Sequence, residues 1–328
     1  MVVVKTIYGE IGNDPVYRYK ITNKNQTSIS LLSYAATWEK FEVVEDGQTH
    51  SLIEHLDSLD DYIKTPYQPG KTIGRVAGRI KDAKFEIDGT KYQLTPNEGD
   101  NLLHGGNNGL QYQNFEGTVD SDNSVLFSHT VKGEDGFAGT LKVNVRYSLS
   151  DDDEVAITYT AETDHDTLFN PTCHVYFNVG DENIRQQQLK INAKRFLDVD
   201  DGKVPTGKLL ATTNAYDFKD FKKIGQGLKQ LKPLSKYEFD DVFVVGNKAA
   251  TIKSDKRAVD LYTDRNGMVI YTADPKDDQK TAEHEYSSLA MELQTLPDAI
   301  NHPDFGNTVL KAGQKVSYTN KYKYRKLD

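Results

Sequence analysis

Leu141-Lys142-Val143-Asn144-Val145-Arg146-Tyr147-Ser148-Leu149 alternates apolar and polar side chains without a break. Successive side chains of a strand point to opposite faces, so Leu141, Val143, Val145, Tyr147 and Leu149 would line one buried face. The acidic run Asp151-Asp152-Asp153-Glu154 suits a turn, and Val155, Ile157 and Tyr159 then resume the alternation. The two halves read as an antiparallel hairpin. Working outward, Val125, Phe127, His129 and Val131 repeat the pattern upstream. Downstream, Val259, Leu261 and Thr263 run into Asn266-Gly267, a pair suited to a tight turn, and Met268 to Thr272 read as the returning strand. Tyr and Phe add strand-favouring aromatic surface. Helix signals are few: Ser58-Leu59-Asp60-Asp61 would cap one short turn, with Leu59, Tyr62 and Ile63 on one face. With no strand–helix series, long linker or low-complexity segment, the expected fold is all-β: a single large antiparallel β-sandwich domain over residues 1–328.

Composition narrows the function classes. A mean hydropathy of −0.64 describes an ordinary soluble chain, and no stretch approaches the ~20 apolar residues of a membrane span. Met1-Val2-Val3-Val4-Lys5 meets a charge too soon for a signal peptide. The single cysteine, Cys173, excludes an internal disulfide and a thiolate zinc cluster. A cytoplasmic location is therefore expected. The formal charge of −9 would repel a phosphate backbone, so nucleic acid is not an expected partner.

The residues that could carry chemistry are dispersed. In Met291-Glu292-Leu293-Gln294-Thr295-Leu296-Pro297-Asp298, Met291, Leu293 and Thr295 would face one side of a strand and Glu292 and Gln294 the other. Pro297 would end the strand, leaving Glu292 beside a loop, either on a solvated face or offered to a ligand. Arg79 reads equally as an exposed strand cation. His104 precedes Gly105-Gly106, a pair that permits close backbone approach to a ligand. His174 stands before Tyr176-Phe177, where a core histidine is also a fair reading. The Cys173-His174 adjacency raises a cysteine hydrolase, but neighbours in a strand point apart and cannot pair as nucleophile and base. No phosphate-binding glycine pattern and no H-E-x-x-H are present, so neither cofactor nor metal is expected.

Taken together and in order, several segments resemble the aldose 1-epimerase (galactose mutarotase) family. They are Gly74-Arg75-Val76-Ala77-Gly78-Arg79-Ile80, Asn101-Leu102-Leu103-His104-Gly105-Gly106, Asn170-Pro171-Thr172-Cys173-His174-Val175-Tyr176-Phe177-Asn178, Tyr237 to Phe243, Gly267 to Thr272, and the Glu292 segment. The resemblance implies a galactose mutarotase-like supersandwich that interconverts the α and β anomers of a hexose, galactose or glucose. It implies Glu292 as base, His174 as acid, and Arg79, His104 and Asp240 as sugar-holding residues. The partner would be a small sugar, and monomer and homodimer both stay open. Gly78 replaces an asparagine, Phe115 a tryptophan, Asn266 a proline and Val269 a glutamine, and the departures at Gly78, Asp241 and Val269 bear on sugar contacts. Asp241 stands where a histidine is usual, leaving open which of Asp240 and Asp241 faces the sugar. An epimerase of a disaccharide such as maltose, a glycoside hydrolase using Glu292 with Asp240, and a non-catalytic sugar-binding sandwich remain as alternatives.

Overall fold

A computed structural model describes residues 1–180 and 183–328. The opening hairpin forms as expected: Leu141–Leu149 pairs with Glu154–Thr163, and Leu149 lies opposite Val155. Ser124–Val131 flanks it on the other side. These strands belong to a nine-stranded sheet that continues through Lys315–Lys326, Arg257–Thr263, Lys248–Lys253 and Gln188–Ile191. A five-stranded meander covers Val2–Ile11 to Gln48–Ser51. A six-stranded sheet runs Tyr176–Phe177, Ser288–Gln294, Gly267–Ala273, Asp240–Val244, Arg195–Val199, Pro205–Ala211. The ladders within these sheets are antiparallel, and the fold is all-β.

The apolar faces of the three sheets meet in one core. Trp38 of the meander lies 5.1 Å from the ring of Tyr322 in the nine-stranded sheet and 6.3 Å from Phe177 in the six-stranded sheet. All three are fully buried. Aromatic area packs the junction, and an antiparallel bridge between Ile53 and Phe177 ties the residues after the meander to the edge of the six-stranded sheet.

Three expectations are corrected. Arg257–Thr263 and Gly267–Ala273 are not a hairpin; the first lies in the nine-stranded sheet and the second in the six-stranded one. The intervening residues are tied elsewhere. The Asn266 side chain accepts from Leu296 N–H at 3.1 Å and donates to the Phe305 carbonyl at 2.8 Å. The buried Arg265 guanidinium donates to the carbonyls of Pro171 and Leu293. These bonds replace a turn with a crossing. Second, in the helix Leu59–Lys64 Ser58 does cap Asp61 N–H at 3.2 Å, and Leu59 and Tyr62 are buried, but Ile63 is 42% exposed. Third, a helix at Ile224–Leu231 was not expected. It buries Ile224, Leu228 and Leu231 at helical spacing, but Gly225 and Gly227 weaken the local helical signal.

Among the described residues no helix is long and apolar enough to cross a membrane.

Candidate active site

Register alone assembles one wall of the site. Val269 lies opposite both Val242 and Glu292, and Tyr271 lies opposite both Asp240 and Ala290. Tyr176 lies opposite Ala290 on the far side. Residues directly opposite share a face, so Asp240, Val242, Val269, Tyr271, Glu292 and Tyr176 all point to the same side of the six-stranded sheet. They line a cavity of about 410 Å³ with Arg79, Glu98, His104, His174 and Lys203. The other face carries Phe243, Met268 and Leu293 into the core.

This face is covered, not solvated: Glu292 is 2% exposed. The strand also stops earlier than Pro297. It ends at Gln294 because Thr295 N–H donates to the Asn170 side chain at 2.9 Å and Leu296 N–H to Asn266, leaving no ladder to continue.

His174 is set by main-chain bonds on both sides, its N–H donating to Lys71 C=O at 3.0 Å and its C=O accepting from Gly70 N–H at 2.9 Å. Its Nε2 stands 3.4 Å from Glu292 Oε1. Glu292 Oε2 and His174 Nδ1 are buried and without hydrogen-bond partners among the described residues. Buried polar atoms usually find a protein or water partner, so two neighbouring orphans lining one cavity are open to a ligand's hydroxyls. Burial, helped by the negative Asp240 and opposed by Arg79, pushes the Glu292 carboxyl up to about 8. Burial pushes His174 down to about 4, against the pull of Asp240. Each shift disfavours the charged form. Across neutral pH the pair therefore holds one proton between them.

Cys173 is no part of this site. Its thiol is buried, donates to Gly70 C=O at 3.3 Å and is pushed upward by burial.

His104 is fixed by Gly78. Gly78 C=O accepts His104 N–H at 3.0 Å, and Gly78 N–H donates to His104 Nδ1 at 3.1 Å. Nδ1 is thus an acceptor and the ring proton sits on Nε2. Burial, then the neighbouring His174 and Arg79, hold the imidazole well below its usual range, hence neutral. Its ring meets that of His174 edge to face at 5.6 Å. Gly105 does not bring backbone up to a ligand, as the sequence suggested. At φ +76°, a Cβ there would lie 2.2 Å from Gly74 O, so the glycine serves the chain's own packing.

Arg79 is half-buried and held bidentate by Glu98 at 2.6 and 2.8 Å. Asp240 forms an ion pair with Lys203 at 2.6 Å, and Lys203 also reaches Glu238 at 3.3 Å. Alternation decides between the doubled acids: Asp240 faces the cavity, while Asp241 points away and is buried against Lys236 at 3.5 Å.

All five residues singled out in the sequence meet in this one cavity. Glu98, Lys203, Tyr176 and Tyr271 were missed. Tyr271 shares a face with Val269 by alternation along one strand, whereas Tyr176 joins the site only through the register of the folded sheet. Glu98 and Lys203 sit in loops and leave no periodic signal.

One ligand atom each from His104, His174 and Glu292 lies within 4.8 Å of the others, a spacing that could hold a metal ion. The tautomer of His104 opposes this, because ligation through Nε2 would require moving the proton to Nδ1 and losing the bond from Gly78.

The space beside Gly78 is also restricted. Its φ is +76° and a Cβ would lie 2.7 Å from Pro297 Cβ, so no cavity replaces the missing asparagine. Gly78→Asn is expected to cost about 1–3 kcal/mol through backbone strain and to disturb His104. Val269 sits on ordinary strand backbone and lines the cavity beside Glu292, with apolar neighbours that include Val242 and Leu296. Val269→Gln is expected to lower KM for a free hexose roughly two- to ten-fold by adding one hydrogen bond. Steady-state kinetics and thermal unfolding of the two single variants check this; an unchanged KM in Val269→Gln would show the contact is met otherwise.

The aldose 1-epimerase family model matches residues 17–323. The chain is 40% identical to a maltose epimerase of Levilactobacillus brevis over 99% of both chains. It is 31% identical to a galactose mutarotase of Bos taurus over 98% of both. Among solved structures, a galactose 1-epimerase from Lactobacillus acidophilus superposes with a TM-score of 0.87 at 27% identity, covering 99% of each chain. With matches spanning nearly its whole length, this chain belongs to the aldose 1-epimerase family, the isomerases known as mutarotases.

Proposed function

We propose that this chain is a single-domain enzyme that interconverts the anomers of an aldohexose ring, glucose or galactose, free or as the reducing unit of a disaccharide such as maltose. The observation that carries the reading is the Glu292–His174 pair, 3.4 Å apart on the cavity floor with one orphaned atom on each partner. Glu292 takes the proton of the C1 hydroxyl while His174 gives a proton to the ring oxygen. The C1–O5 bond breaks, a C1 carbonyl forms, and the C1–C2 bond rotates. Closure on the other face returns both protons. The reaction needs one proton on the pair, and one is what the pair holds. Glu292 protonated with His174 neutral differs only by a proton shift from the carboxylate–imidazolium form that reacts.

His104 Nε2–H, Arg79 and the Asp240 carboxylate would hold the hydroxyls and fix orientation. The cations in the cavity are neutralised, Arg79 by Glu98 and Lys203 by Asp240 and Glu238. That suits a neutral sugar over a sugar phosphate. The tautomer of His104 supports a reaction without metal. The 40% identity to a maltose epimerase and 31% to a galactose mutarotase support the range of sugars proposed.

Polarimetry of freshly dissolved α-glucose, α-galactose and α-maltose tests the reading, and its pH dependence tests the pair. Below about 4 His174 gains a second proton and no base is left; above about 8 Glu292 loses the last proton and no acid is left. A bell-shaped kcat/KM with limbs near those values is expected, and the limbs belong to the pair as a whole. A rate that climbs steadily from pH 5 to 10 would sink the assignment.

A further inference from the structure

A second cavity of about 410 Å³ adjoins the first, and the two share Val199, Lys203 and Asp240. The Lys203–Asp240 ion pair is their common wall. The second cavity is further lined by Lys236, Tyr237, Glu238, Asp241 and His284. Tyr237 is unusual here, being a large aromatic residue 48% exposed. Its ring is held flat on His284, with centroids 4.5 Å apart and planes 7° apart. Tyr286, itself buried, donates its hydroxyl to Tyr237 C=O at 2.9 Å and lies 3.3 Å from His284 Nδ1. Arg185 fixes the same corner by donating to His284 C=O at 2.6 Å. The chain thus fixes a stacked pair of rings, Tyr237 on His284, in the wall of a polar cleft.

We propose that this cleft is a second sugar subsite, with Tyr237 as the platform for the non-reducing unit of a disaccharide. The proposal rests on the anomer-interconverting reading above. Asp240 lies two strands away from Glu292 and two residues along, so their Cα atoms are about 12 Å apart. A pyranose with C1 at Glu292 directs its opposite end to Asp240 and Lys203, which is where the second cavity begins. A substituent on that end passes the ion pair and meets Tyr237. An aromatic face suits the apolar C–H face of a sugar, and Glu238, Lys236 and Lys203 supply donors and acceptors for its hydroxyls. A free hexose does not reach the platform, so the subsite sets preference and not chemistry.

Tyr237→Ala and Tyr237→Phe test this with maltose and glucose in parallel. Tyr237→Ala is expected to raise KM for maltose roughly ten-fold while KM for glucose stays within two-fold and kcat is unchanged; Tyr237→Phe should restore the maltose value. Equal shifts for both sugars, or none for either, overturn the subsite. If the wild type converts neither sugar, the reading of the reaction fails instead. Calorimetry then decides the subsite alone: maltose binding weakened in Tyr237→Ala supports it, and absent or unaffected binding overturns it.

Discussion

Replacing Glu292 by glutamine is expected to lower kcat by about 10²–10⁴-fold and to leave KM within a few-fold. Glutamine keeps the shape of the side chain and can still meet a sugar hydroxyl, but it cannot take a proton. The loss should therefore fall on the transition state and not on binding. A variant with near-normal kcat and raised KM would place the base elsewhere. The same substitution should have an opposite effect on the fold. The Glu292 carboxyl is near 8 in the folded protein against about 4.5 when free. Below about 4.5 both states are protonated and there is no penalty. As pH rises through that window the unfolded chain ionises first, the folded state loses stability relative to it, and above about 8 the penalty is constant. For a fully buried group this amounts to on the order of 5 kcal/mol. Glutamine has no such penalty. Glu292→Gln should unfold at a higher temperature than the wild type at pH 8.5 and at a similar one near pH 4.5. Thermal unfolding at the two pH values reads it, and parallel melting of both proteins would remove the buried-carboxylate argument. A carboxylate placed where it destabilises the fold points to selection for chemistry.

The strands were legible in the sequence wherever one face is buried and the other wet, as from Leu141 to Thr163, because alternation then has two sides to report. It failed where both faces are covered. Ser288–Gln294 is buried at every residue, so alternation there could not say that Glu292 was enclosed. It also failed at the Asn266 crossing, since a side chain that bonds Leu296 and Phe305 uses the same residue type as a tight turn. At the site, Glu292, His174, His104, Arg79 and Asp240 stood out through resemblance, and no local pattern separates them from ordinary strand residues. The choice of Asp240 over Asp241 needed only register: opposite Tyr271 means into the cavity. Lys203 and Glu98 needed the folded chain. Each is a loop residue whose meaning lies in one long-range ion pair. Gly78 was readable as a missing side chain, but its use was not, because what it contributes is a backbone N–H.

His174→Asn is expected to lower kcat by a similar 10²–10⁴-fold, since an amide cannot protonate the ring oxygen. The informative variant is the double one. If Glu292 and His174 acted in separate steps, their losses would multiply, and Glu292→Gln with His174→Asn would approach the uncatalysed rate in two independent stages. At 3.4 Å, sharing one proton, they serve one transfer, in which removal of the base leaves the acid nothing to complete. The double variant should then be less than about ten-fold worse than the poorer single one. His174→Asn should leave the upper pH limb near 8, because burial, Asp240 and Arg79, which set the Glu292 carboxyl there, are untouched. A fully multiplicative loss would mean that the two groups do not serve one coupled transfer. Near-additive behaviour of Glu292→Gln with a change at Tyr237 is expected by contrast, since the platform touches neither the proton nor the reacting bond.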